Sequence, residues 1–307
     1  MEHNPVVGQQ HLKGRRRWNH DWPWMIAFIL PAFIVVVVVQ FYPLAYSAFL
    51  TVQKWSLTSS QEPEGFSGVA NFVKMLDSDV FRRSVRNSCY ITGGAVLIEM
   101  LLGMGLAYLT MGKSWLMRSV RTTLILPMVI APVAAGTLWR MMLNSRAGLV
   151  NHILGFFHIQ GPEWLASPDW ALLSVIILEI WQATPFVLLV VAAGISGIPG
   201  ELLEAASIDG ASRRQIFWRV ELPLLAPLLL LTLMLRVLDS LLSLDAVYSL
   251  TFGGPGYSTY TLTFFIYTLG LRNFNLGHAA AASWLFMAFA AALIAFVFWL
   301  QRRWETH

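Results

Sequence analysis

The stretch ELLEAASIDGASRRQIFWRVELP, residues 201–223, lies between two long apolar runs and holds seven charged side chains. The rest of the 307-residue chain avoids charge. Only 12% of its residues are Asp, Glu, Lys or Arg, and 56% are hydrophobic. An ordinary soluble domain carries about 25% charged residues, so the balance is that of a membrane protein. The stretch is too polar to span a bilayer and too patterned for a slack linker. Pro199 suits a first helical turn, and Glu201 and Glu204 then face the positive end of a helix dipole. Asp209-Gly210 ends that helix, with Gly210 able to take a left-handed cap. Ser212 and Gln215 have capping-box spacing for a second short helix, with Ile216, Phe217 and Val220 as its apolar face. Leu222-Pro223 opens the next apolar run. The expectation is a knuckle of two short helices hinged at Gly210. Residue chemistry alone leaves two readings level: a docking surface for another protein, or an amphipathic loop lying on lipid headgroups.

A membrane-spanning helix needs about 20 mostly apolar residues. Six segments qualify: Trp24–Leu50, Ser88–Thr110, Thr122–Leu143, Ala171–Ser196, Leu222–Leu244 and Ala279–Leu300. The expected layout is a basic N-terminal tail (1–23), a six-helix domain (24–300) containing the loop 199–223, and a short C-terminal tail (301–307). The first apolar run is long and follows a polar stretch, so it reads as a span and not as a cleaved signal. Lys and Arg set the orientation. Twelve fall on the N-terminal side (Lys13, Arg15, Arg16, Arg17, Lys113, Arg118, Arg121, Arg213, Arg214, Arg219, Arg302 and Arg303) against seven on the other. Both termini and the 201–223 loop are therefore expected in the cytoplasm. Trp18, Trp22, Trp24, Trp299 and Trp304 read as interfacial anchors. The long outer loop, Thr51 to Asn87, is expected to hold a short helix near Val80–Arg86, and Gly253-Gly254-Pro255-Gly256 marks a tight outer turn.

Several function classes drop out. Cys89 is the single cysteine, so neither an intrachain disulfide nor a cysteine-cluster metal site is available. The seven histidines are scattered, and no metal site or catalytic constellation is visible. No basic stripe with interleaved aromatics points to nucleic acid. Gly112-Lys113-Ser114 looks like the end of a phosphate-binding loop, but Ala107 stands where that loop needs glycine. It reads as a basic turn.

The spacing from Glu204-Ala205-Ala206 to Gly210 and on to Leu222-Pro223 resembles the EAA loop of permease subunits of bacterial ABC importers. Val220 replaces the usual isoleucine, a conservative departure. Leu30-Pro31, Tyr42-Pro43, Asn71-Phe72 and the block Asp245–Thr251 followed by Gly253-Gly254-Pro255 are similar to the carbohydrate-uptake branch, the maltose-type and glycerol-phosphate-type permeases. The resemblance implies an all-α integral membrane protein, the six-helix type I importer transmembrane domain with a cytoplasmic coupling helix. It implies that Glu204, Ala205, Ala206, Ser207, Asp209, Gly210, Leu222 and Pro223 serve coupling to an ATPase. The partners implied are a second permease subunit, two ATPase subunits that bind ATP and Mg, and an extracytoplasmic solute-binding protein. The chain itself would carry no cofactor, catalyse nothing and reside in the bacterial inner membrane, passing a sugar or polyol by alternating access.

Ionisable groups inside spans are costly and usually face protein or water. Here they are Glu99, Arg140, Glu179, Arg236, Asp239 and Asp245. Arg236 and Asp239 are three apart on one helix face and can pair. Glu99 reads as a structural hydrogen-bonding group, and Asp245 as a helix cap or an anchor of the Gly-Gly-Pro loop. For a polyhydroxylated solute, polar side chains beside aromatics are suited, which singles out Trp181, Gln182, Arg236, Asp239, Ser243 and Tyr248 as pathway candidates. Trp181 and Tyr248 have a competing packing role. An ion-gradient-driven secondary transporter is the rival class. Asp239 could supply its coupling acid, but no matching half-repeat is visible.

Overall fold

The computed structural model describes residues 22–112 and 114–305. The tail residues Lys13, Arg15, Arg16, Arg17 and Trp18, and Lys113, lie outside the described residues, as do the side chains of Trp24, Arg303 and Trp304. The chain divides into two units, one ending at Phe49 and the other running from Leu50.

The first unit is helical from α1 (Trp22–Val36) through a π-helical turn at Val37–Phe41 into α2 (Tyr42–Thr51). The wide turn ends two residues before Pro43, and the Tyr42 N–H closes it by donating to the Val37 carbonyl. A second π-turn, Phe217–Glu221, likewise ends two residues before Pro223, with the Leu222 N–H donating to the Phe217 carbonyl. Proline lacks the N–H that would continue the α-helical ladder and crowds the preceding turn. Widening that turn relieves the crowding without ending the helix.

The second unit begins with a two-residue hairpin, β1 (Gln53–Lys54) against β2 (Gly65–Phe66), and α3 (Ala70–Asp77). Buried Asn71 fastens these parts, its Nδ2 donating to the carbonyls of Thr51 and Gln53 at 2.8 Å each. Then come α4 (Asp79–Thr110), α5 (Trp115–Val129), α6 (Pro132–Met142), α7 (Leu149–Phe156) and α8 (Pro168–Ser196). They are followed by α9 (Gly200–Ile208), α10 (Arg213–Ile216), α11 (Leu222–Leu242), α12 (Asp245–Leu250), α13 (Leu262–Tyr267) and α14 (Leu276–Glu305).

By length and composition, five described helices can cross a membrane, and a sixth span exists if α5 and α6 are joined. Three expectations change. The segment Thr122–Leu143 is not one rod: α5 and α6 meet at a bend of 100°. Pro132 drives Ala131 into extended backbone (ψ 133°), and Ile130 is extended as well (ψ 131°). The short helix expected near Val80–Arg86 is the first part of α4, which is capped at Ser78 and continues into the span. Leu222-Pro223 does not open a new helix, because the π-turn carries the chain unbroken from Arg213 to Leu242.

The core of the second unit is built on α4 against α8. Gly103 makes their close approach possible, since a Cβ there would fall 2.5 Å from the Val187 Cβ. Small residues at such contacts let membrane helices pack backbone to backbone. Below this contact, Ala107 packs with Val187, Val191 and Ala192. At the other end Ile91, Val175 and Leu178 join Ala246, Val247, Leu250 and Phe264, so α12 and α13 are held onto the α4–α8 pair. On the far side α14 packs through Ala281, Ala282 and Phe286 on Phe81, Leu241 and Phe265.

Candidate functional site

One arginine joins three helices. Arg236, on α11, donates through Nε to Glu99 Oε2 on α4 at 2.8 Å and through Nη2 to Glu99 Oε1 at 3.3 Å. Its Nη2 also lies 3.8 Å from Glu179 Oε2 on α8. Its Nη1 donates to Asp239 one turn along α11. The Glu99 side chain is wholly buried and that of Arg236 is 5% exposed, whereas the Asp239 side chain is 76% exposed. A guanidinium presents five donors in a planar fork, so one residue can serve several carboxylates at once. The Ser243 hydroxyl continues the network, donating to Glu179 Oε1 at 2.7 Å. Ser240, on the same helix, reaches Thr92 on α4 at 3.2 Å.

This network forms one wall of a cavity of about 770 Å³ between α8, α11, the start of α12 and the α5–α6 bend. Its charged lining is Glu179, Arg236, Asp239 and Asp245, with Gln182 and Ser243 as neutral polar groups and Met128, Phe186 and Leu235 among the apolar ones. Gln182 also bonds to the bend. Its Nε2 donates to the Ile130 carbonyl at 3.0 Å, one of the backbone acceptors that the broken helix leaves free.

Four of the six pathway candidates, Gln182, Arg236, Asp239 and Ser243, therefore meet in one cavity. The structure places Trp181 and Tyr248 elsewhere. Trp181 meets the Trp139 ring edge-on at 5.6 Å, and Tyr248 packs on Phe252 and Tyr267. Both rings belong to the packed core around Leu178 and Phe264. Two charged cavity residues, Glu179 and Asp245, were outside the pathway set. Glu179 stands three residues before Gln182, on the same face of α8, a spacing that was available in the sequence. Asp245 opens α12 and lines the cavity; it is not the helix cap expected, because the N-cap of α12 is Leu244 and no side chain bonds there. Glu99 makes the structural hydrogen bonds expected of it, accepting both from Arg236, and the contact is also an ion pair.

The charged stretch 201–223 lies at the opposite end of α11. No residue of α9 is buried. Ile208 is 86% exposed, and Leu202 is also exposed. The helix stops in a two-bond cap: the Gly210 N–H donates to Ser207 at 3.1 Å and the Ala211 N–H to Ala206 at 3.0 Å. Gly210 sits at φ +79°, the left-handed conformation this cap requires. Ser212 then starts α10 with a reciprocal capping box to Gln215. From there 30 residues run as one helix, Arg213–Leu242, to the cavity. Of the expected coupling residues, Glu204, Ala205, Ser207, Asp209 and Gly210 are exposed and Ala206 is half-buried, while Leu222 and Pro223 lie in the continuous helix.

A bundle of membrane-spanning helices, a polar cavity within it and an exposed helix joined to that cavity by a single rod define a polytopic transport subunit. Residues 99–306 match the family model "Binding-protein-dependent transport system inner membrane component". The sulfoquinovosyl glycerol transport system permease protein SmoG of Agrobacterium fabrum is 30% identical over 291 residues, covering 94% of each chain. The trehalose/maltose transport system permease protein MalF of Thermococcus litoralis is 32% identical over 249 residues, 81% of this chain and 82% of that one. Among solved structures, a bacterial alginate ABC transporter in complex with an alginate pentasaccharide-bound periplasmic protein aligns over 92% of this chain and 95% of that chain, with TM-score 0.80 and 25% identity. The chain belongs to the family of binding-protein-dependent transport system inner membrane components. It is a multi-pass inner-membrane permease subunit of an ATP-driven ABC importer, and the ATPase of such importers resides in separate subunits.

Proposed function

We propose that this permease passes a sugar or polyol through the cavity beside Arg236, and that the exposed helix α9 receives the work of a partner ATPase. The observation that carries the reading is the unbroken helix from Arg213 to Leu242, with the capped knuckle at one end and Arg236 and Asp239 at the other. A rod of that kind transmits displacement, whereas a flexible loop would absorb it. Exposure of α9 supports the docking half of the reading. A nine-residue helix with no buried face is marginal on its own, and a protein surface covering Leu202 and Ile208 would stabilise it. The names of the relatives SmoG and MalF, which carry sulfoquinovosyl glycerol, trehalose and maltose, support the solute class.

The remaining parts of the reading rest on the resemblance to importer permeases. Glu204, Ala205, Ala206, Ser207, Asp209 and Gly210 form the contact surface, and Leu222 and Pro223 shape the root of the rod. Two ATPase subunits hold ATP and Mg, a second permease subunit completes the passage, and a solute-binding protein delivers cargo from outside. Both termini and α9 lie on the cytoplasmic side, and the domain limits are 1–23, 24–300 and 301–307.

The test is a site-directed cross-link. A single cysteine at Ala205, in a Cys89→Ser background, should form a bond to a cysteine in the partner ATPase within the purified importer, and ATP should change its yield. A cysteine at Leu149, on α7, should not cross-link. Equal yields at the two positions, or sugar uptake that persists without ATP, would overturn the reading.

A further inference from the structure

The helix α7 carries a surface that the rest of the fold does not use. None of its eight residues is buried. Residues three and four apart share a face of a helix, so α7 divides into three sectors. Val150 and Leu154 are half-buried, and Val150 packs on the core cluster that holds Val175 and Leu178 of α8. Leu149, Ile153, Phe156 and Phe157 form a second sector, apolar and exposed. His152 and Gly155 belong to the third, which with Arg146 and Gly148 lines a cavity of about 520 Å³. Among the described residues no carboxylate lies within ion-pair distance of Arg146.

The surroundings of α7 set this surface at the level of the lipid headgroups. Residues 143–148 join it to α6, the second half of a bent span, and residues 157–167 lead from it into the span α8. Its inner sector is fixed to side chains of α8, so it cannot stand far out in water. Asn151 Oδ1 accepts a hydrogen bond from Trp164 Nε1 at 2.6 Å, and the Trp164 ring meets Trp170, in the first turn of α8, edge-on at 5.1 Å. Tryptophan at the mouth of a span marks the boundary between acyl chains and water. A soluble partner that docks and leaves would return the apolar sector to water each time, at the full hydrophobic cost, whereas lipid covers it throughout.

We propose that α7 is an interfacial helix seated on the membrane face opposite α9, with its apolar sector among the acyl chains and Arg146 held to the phosphate of a phospholipid headgroup. An apolar sector beside a cationic group matches a phospholipid in both its parts. An anionic headgroup adds a net charge that phosphatidylcholine lacks, so the arginine favours phosphatidylglycerol. This stands apart from the solute path and from the role of α9.

The test uses the whole importer in vesicles of equal parts phosphatidylcholine and phosphatidylglycerol. A bimane is attached to Ile153→Cys in a Cys89→Ser background, and for comparison to Glu62→Cys, an exposed position in the hairpin loop. The apolar face of an interfacial helix lies about 5–10 Å into the headgroup boundary, so a nitroxide near the headgroup end of the acyl chain should quench position 153 at least about threefold more than one near the methyl end. Iodide should quench position 62 and barely reach position 153. Moving the nitroxide from phosphatidylcholine to phosphatidylglycerol should raise quenching at 153 by at least about twofold, and Arg146→Gln should abolish that preference. Iodide quenching at 153 as strong as at 62 overturns the seat, because the helix then stands in water. Weak quenching by iodide and lipid alike overturns it as well, because another subunit then covers the face. So does iodide quenching at 153 that disappears only when the solute-binding protein is added. Equal quenching by the two lipids, or a preference that survives Arg146→Gln, overturns the assignment of Arg146.

Discussion

Arg236 Nε donates to Glu99 Oε2 at 2.8 Å across 137 positions of sequence, with both side chains almost entirely out of solvent. The contact ties α11 to α4 at the level where α8 adds Glu179. Breaking a buried pair from one side is far costlier than replacing it, because a charge is left stranded. We predict that Arg236→Met destabilises the importer by about 3–5 kcal/mol and lowers its yield in detergent. Arg236→Met combined with Glu99→Met should lose less than the sum of the single changes. Thermal unfolding of the purified complex checks both statements, and additive losses would contradict the pairing.

The glycines of α4 make a separate prediction about packing. A Cβ at Gly103 falls 2.5 Å from the Val187 Cβ and 3.0 Å from the Leu188 nitrogen, whereas at Gly93 and Gly105 a Cβ meets nothing within 4 Å. Gly103→Ala is therefore expected to push α4 from α8 and cost about 1–3 kcal/mol, as overpacking does. Gly105→Ala should be neutral or slightly stabilising through helix propensity. Comparing melting temperatures of the two alanine variants decides it, and equal values would refute the close contact.

How much of this was legible in the sequence depended on whether a feature was local. Apolar run length marked the spans, and the EAA spacing marked the knuckle, because each is set by residues near one another in the chain. The Gly210 cap and the Ser212–Gln215 box followed from side-chain chemistry over a few positions. The fate of the prolines was harder to read. Pro132 breaks a segment that hydropathy reads as continuous, while Pro43 and Pro223 are absorbed by π-turns that no local rule distinguishes from helix ends. The Arg236–Asp239 pair was visible as a three-residue spacing, but the links to Glu99 and Glu179 span long intervals and depend on how three helices pack. Trp181 and Tyr248 had the residue types of a sugar site, yet neighbouring rings captured both.

The hairpin over residues 53–66 supplies a pH prediction. Glu64 accepts a hydrogen bond from the Ser59 hydroxyl and lies 3.5 Å from Lys54 Nζ. The Ser59 bond, and secondarily the lysine, hold its carboxyl below the ordinary glutamate value. A lowered folded-state pKa stabilises the fold above the unfolded value, and that stabilisation is lost as pH falls through the lowered one. We predict that amide exchange in residues 53–66 accelerates at acid pH, beyond the intrinsic trend, and that Glu64→Gln removes this acid dependence. Hydrogen exchange followed by mass spectrometry measures it. An unchanged profile in the variant would remove Glu64 as the cause.

Gly210 separates transmission from folding. Its φ of +79° costs an L-residue about 1 kcal/mol, yet a Cβ there meets nothing, so Gly210→Ala should insert and assemble with a modest loss of uptake. Proline is different in kind. It fixes φ near −65° and removes the N–H that donates to Ser207, so the turn between α9 and α10 must take another path. The rod from Arg213 to Leu242 keeps its own capping box and should survive. Gly210→Pro is thus expected to leave the membrane level of the protein within about twofold of the parent and to reduce uptake by at least about tenfold, because α9 no longer moves as one body with the rod. Immunoblots of isolated membranes and uptake of radiolabelled sugar by whole cells give the two readings. Normal uptake by the proline variant would show that force does not pass through this knuckle, and a missing protein would show that the cap serves folding instead.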